Sequence, residues 1–207
     1  MSWIETIGFN DAVGRLRKLY DRVKGPDNNV DNIMMAHSLR PHTMEGHMAI
    51  YKYVLHHSSN TLPKSFLEMI GVWVSLLNDC DYCVEHHYAG FIRLVDDAKT
   101  AGEMRAAMEA RDTSAPVFDA RAQAALNYAR ILTEAPSSLQ EDSLAPLRTA
   151  GFSDGEILEI NQVTAYFGYA NRTVLGLGIS TDGDVLGLSP GNSDNPNDWQ
   201  HLSLIHI

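Results

Sequence analysis

Cysteine is almost missing from this sequence: Cys80 and Cys83 are the only two in 207 residues. In a reducing cytosol such a lone pair reads as catalytic or metal-binding rather than as a structural staple. Cationic clusters are missing too. Lys and Arg total 16 against 26 Asp and Glu, a formal charge of −10, and without a dense basic run nucleic acid is excluded as an expected partner. No apolar run reaches the length of a membrane span. The first residues, "MSWIETIGFNDAVGRLRKLY", lack a basic region followed by a long apolar core. These absences lead us to expect a soluble cytoplasmic protein with no membrane partner. Convincing period-two alternation is also lacking, which argues against a sheet.

What the sequence does contain is helical spacing. Val13, Leu16, Tyr20 and Val23 form one stripe, Met44, Met48, Tyr51 and Leu55 a second, and Phe66, Ile70, Trp73 and Leu77 a third. Phe118, Ala122, Ala125, Ala129 and Leu132 continue the pattern, as do Ile157, Ile160, Thr164, Phe167 and Val174. Between them, stretches such as "KGPDNN", "SSNTLP" and "AGFSDGE" carry the residues that end one helix and cap the next. Pro41, Pro63 and Pro116 suit first-turn positions. The expectation is one all-α domain over residues 1–188, with about eight or nine helices. From residue 189 the composition turns polar and rich in Pro, Gly and Asn, a flexible tail by composition. Its last residues, 202–207, read "LSLIHI", the translation of a common sequencing-adapter end, and we expect them to be an artefact.

The chemistry concentrates in "SLLNDCDYCVEHHYAGF", residues 75–91. Asn78 and Asp79 are good N-cap residues, which would place Cys80 in the first turn of a helix running to about Val95. On a helical repeat Cys80, Cys83 and His87 fall within roughly 60° of one another. Helix N-terminal amides and a neighbouring imidazole both favour a thiolate, while Asp79, Asp81 and Glu85 oppose a second anion. From residue types alone, three readings stand: a redox couple, a zinc site completed by His87 and Glu68, or two small core residues.

Glu68, eleven residues, Cys-x-x-Cys, three residues and His87 together resemble the signature of the AhpD-like alkylhydroperoxidases of the carboxymuconolactone decarboxylase superfamily. "AHSLRP", "LPKSFLEMIGVWVSLLNDCDYCVEHH", "LRTAGFSDGEILEI" and "NRTVLGLGI" look closer still to its peroxidase-related branch, over roughly residues 31–179. The resemblance implies an AhpD-like helical domain with the cysteine motif at the start of a central helix. It implies Cys83 as the attacking thiolate, Cys80 as the resolving thiol, and His87 with Glu68 as a proton relay. It further implies an organic hydroperoxide or hydrogen peroxide as substrate, no resident cofactor, an external dihydrolipoyl- or thioredoxin-type reductant, and a homo-oligomer. Tyr82 stands where the better-studied AhpD pattern has histidine between the cysteines. His86 points about 100° away from His87 on the helix and reads as a surface residue; it and Tyr82 are supporting candidates.

The remaining histidines have plainer readings. His37, His42 and His47 do not converge by local geometry, because a spacing of five turns about 140° around a helix. His56 and His57 would close a helix C-terminus, where a charged imidazole suits the dipole. The stripe in "TAYFGYANRTVLGLGI" reads as core or subunit interface.

Overall fold

The computed structural model describes residues 2–95, 97–190, 194, 195, 198 and 199. Among them lie nine α-helices: α1 (Gly14–Val23), α2 (Asn32–Ala36), α3 (Pro41–His56), α4 (Lys64–Leu77), α5 (Asp81–Leu94), α6 (Ala98–Glu109), α7 (Ala120–Glu134), α8 (Ala145–Thr149) and α9 (Asp154–Leu177). The all-α expectation holds.

The centre of the fold is α4, which packs against α5, α7 and α9. Its sequence explains why: every residue from Leu67 to Ser75 is buried, so the helix is apolar nearly all round and has to be enclosed. Helix α9, 24 residues long, packs against it. Ser153 and Glu156 form a capping box at its start, satisfying otherwise orphaned amides. It ends at Gly178, whose φ of 59° is the left-handed conformation that closes helices without a Cβ clash.

The close approach of α4 to α9 depends on Gly71. A Cβ there would lie 2.3 Å from two ring carbons of Phe167, and that ring meets His87 edge-on with centroids 4.5 Å apart. Helix propensity alone favours alanine over glycine by about 1 kcal/mol. We nevertheless expect Gly71→Ala to lower stability by about 1–3 kcal/mol, because overpacking a rigid ring dominates. A denaturant midpoint that rises instead would show that Phe167 has room to yield.

The stripes of α3, α4, α7 and α9 lie in the core as expected, with three local differences. Val13 is exposed, since it is the N-cap of α1 rather than part of its buried face. Pro63 is the N-cap of α4, and Pro116 sits in a turn before α7; Pro41 alone takes the first-turn position.

The described residues after position 188 lie against the helices. Trp199 is buried, its ring 5.8 Å from that of Tyr51. Lys52 donates to the carbonyls of Asn195, at 2.5 Å, and Asp198, while the Ser58 amide donates to Asp194 at 2.8 Å. At these residues one large aromatic and a few backbone carbonyls make the contacts, not an apolar stripe. Residues 202–207 lie outside the described residues.

Candidate active site

The turn after α4 ends on Asp79 in a left-handed conformation, φ 53°, which swings the chain directly into α5. This corrects the local reading: Cys80 is itself the N-cap, and the helix begins at Asp81. Cys80 and Cys83 are both free thiols and both buried. One helical turn beyond Cys83, His87 reaches Glu68 of α4, with Nδ1 2.8 Å from Oε2. A carboxylate only accepts, so Nδ1 carries the proton and Nε2 is left with its lone pair.

Cys83, His87 and Glu68 line one cavity of about 60 Å³, whose walls include Tyr51, Tyr166 and Trp199. With about 10–15 Å³ needed per water-sized group, this volume admits a small polar head group. Cys80 is not part of that lining; it borders a separate cleft with Trp3, Asp81 and Val174.

The two thiols are shifted in opposite directions. Cys80 is held below the ordinary thiol value, first because the Cys83 thiol donates toward its sulfur and further by the Cys83 amide, against burial and the Asp81 charge. Cys83 is pushed well above it, first by the hydrogen bond its thiol donates to Cys80 and then by burial. The buried Asn171 side chain favours the ionised form of both. The helix N-terminus thus favours an anion on Cys80, and Cys83 keeps the proton that any attack from it has to shed. We expect Cys83→Ala to raise the pH at which the Cys80 thiolate appears, because its donor is lost, while Cys83→Ser keeps a donating hydroxyl and the low value. Ultraviolet thiolate absorbance against pH checks this; identical titrations in the two variants would contradict the role of that hydrogen bond.

Two residues escaped sequence reasoning. Asn171 donates to Ser75 Oγ at 3.1 Å and accepts from Asn78 Nδ2 at 3.0 Å. Its signal was present, a polar residue on the buried face of α9 between Phe167 and Val174. Asp184 had none, being a loop residue 102 positions from Tyr82. It accepts from the Tyr82 hydroxyl at 2.7 Å and contacts His86 Nε2 at 3.2 Å. His86 is therefore buried and partnered, not a surface residue. Tyr82 also accepts from the Ile33 amide at 3.2 Å, so its phenol is a strut between α5 and α2.

The other histidines also differ from local expectation. The rings of His37 and His47 come within 5.3 Å of each other through tertiary packing, whereas His42 stays exposed. His56 is buried and held well below its ordinary value by desolvation, so it stays neutral and does not serve the helix dipole. Among the described residues no group of three or more His, Cys, Asp or Glu side chains is arranged to hold a metal ion.

Against this geometry, residues 41–130 match the carboxymuconolactone decarboxylase family. The fold resembles the AhpD core of a peroxidase-related protein from Ralstonia eutropha JMP134, with TM-score 0.75 and 24% identity over 86% of this chain and 91% of that one. It also resembles a peroxidase-related protein from Silicibacter sp. TM1040, with TM-score 0.69 and 28% identity over 79% and 83%. The debrominase Bmp8 shares the fold at TM-score 0.68 and 16% identity, over 84% and 89%. No curated protein matches the chain in sequence. The chain thus has the AhpD-like fold, and its residues 41–130 carry the match to the carboxymuconolactone decarboxylase family. No described helix is long and apolar enough to cross a membrane.

Proposed function

We propose that the protein is a thiol-dependent peroxidase that cycles a Cys80–Cys83 disulfide. The observation that carries this reading is the Glu68–His87 hydrogen bond on the same cavity wall as Cys83, with the second thiol one helical turn away. In the cycle, His87 Nε2 takes the Cys83 proton and Glu68 stabilises the imidazolium. The Cys83 thiolate attacks one oxygen of the hydroperoxide, the O–O bond breaks, and an alcohol or water leaves. The resulting sulfenic acid condenses with Cys80, releasing water and forming the disulfide. An external dithiol of the dihydrolipoyl or thioredoxin type then reduces it by thiol–disulfide exchange; no resident cofactor takes part.

The division of labour between the cysteines follows from access. Cys80 has the lowered thiol pKa but lies outside the cavity lining; Cys83 lines the cavity together with the imidazole of His87. The test is peroxide consumption driven by a reduced dithiol, with Cys83→Ser as control. Dithiol-dependent turnover by the wild type and none by the variant is the expected result; equal turnover by both would overturn the proposal.

A further inference from the structure

The cavity is served by a second carboxylate–imidazole pair besides Glu68–His87. His86 lines it together with Cys83 and His87, and its Nε2 lies 3.2 Å from Asp184 Oδ2. The Asp184 side chain is only 1% exposed and is fixed on every side. It accepts the Tyr82 hydroxyl at 2.7 Å and the Asn32 amide at 3.0 and 3.1 Å. The Tyr82 ring lies against the His86 imidazole with centroids 4.5 Å apart. A carboxylate that only accepts fixes the Nε2 proton of His86. Among the described residues Nδ1 makes no hydrogen bond, and it is the free end of the ring.

We infer that His86, oriented by Asp184, is the acid that protonates the leaving oxygen of a hydroperoxide when Cys83 attacks. This rests on the peroxidase reading above. The physical reason is the geometry of displacement at oxygen: the sulfur enters in line with the O–O bond, so the leaving oxygen departs from the far side. A base beside the sulfur, His87, is badly placed to return its proton there. His86 and His87 are consecutive residues of α5 and diverge by about 100°, yet both border the cavity, which gives it proton-handling groups at two separate points. The step balances: Cys83–S⁻, R–O–O–H and protonated His86 give Cys83–S–OH, R–OH and neutral His86. Sulfur is oxidised by the electron pair that the O–O bond accepts, and His86 regains its proton from water. The other histidine on this wall, His47, is held neutral by burial, near 3, and has no proton to give at neutral pH. The Tyr82 phenol is already committed to Asp184.

The experiment compares two oxidants that differ in their leaving group. An alkyl hydroperoxide expels an alkoxide, a strong base that has to be protonated; peracetic acid expels acetate, which is stable as the anion. Rates of Cys83 oxidation are measured for the wild type, His86→Gln, Asp184→Asn and Tyr82→Phe. His86→Gln is expected to lose about 10²-fold or more with the alkyl hydroperoxide, the usual scale of acid catalysis, and to react with peracetic acid nearly as fast as the wild type. Asp184→Asn, close in shape to the native side chain, should show the same selectivity to a smaller degree. Tyr82→Phe, which keeps both imidazoles, should show none. Equal losses with both oxidants in His86→Gln and Asp184→Asn would mean that these residues only shape the cavity, and would overturn the inference alone. A wild type that neither oxidant oxidises would overturn the peroxidase reading with it.

Discussion

Cys83→Ser is expected to abolish peroxide turnover and to leave Cys80 as a free, unlinked thiol. A serine hydroxyl at that position is neither ionised near neutral pH nor able to form the sulfenic acid on which disulfide formation depends. The fold should survive, because serine is close in size and its hydroxyl can still donate to Cys80. This separates chemistry from packing: two buried cysteines that were merely core would lose a fraction of stability on substitution and no activity. Peroxide consumption under dithiol reductant, with a thermal melt on the same sample, reads both quantities. Full turnover by the variant would remove Cys83 from the mechanism.

The next largest effect should come from the relay. In the proposed cycle His87→Gln removes the acceptor of the Cys83 proton, and since that thiol is held well above its ordinary value, ionisation without a base is costly. We expect the rate of thiol oxidation to fall by about 10²–10⁴-fold. Glu68→Gln keeps an oxygen that can accept from Nδ1 but withdraws the negative charge that stabilises the imidazolium, so its loss should be smaller. Because the two residues act as one unit, the double variant should be no worse than His87→Gln alone. Rapid-mixing measurement of sulfenic acid formation checks this. Multiplicative losses would show that Glu68 acts independently of His87, despite their 2.8 Å hydrogen bond.

The helices were legible in the sequence because burial on one face imposes a period that survives tertiary packing. Met44, Met48, Tyr51 and Leu55 announce α3, and the enclosed run from Leu67 to Ser75 announces the central position of α4. Glu68 and His87 were legible through a fixed spacing that two neighbouring helices convert into one hydrogen bond. What was not legible depends on contacts between distant segments. His86 looked like a surface residue because a helix repeat knows nothing of Asp184, which arrives from beyond α9. His37 and His47 meet although they are ten residues apart and His37 lies before the start of α3. Asp79 was read as a capping residue; its left-handed backbone instead moved the cap to Cys80.

The most direct measurement is intact mass and peptide mapping of the anaerobically reduced protein, before and after one equivalent of an organic hydroperoxide. The account predicts that the wild type rapidly loses its two thiol hydrogens and that the Cys80 and Cys83 peptides become linked, while Cys83→Ser forms no link. Both thiols remaining free while the hydroperoxide persists would contradict it.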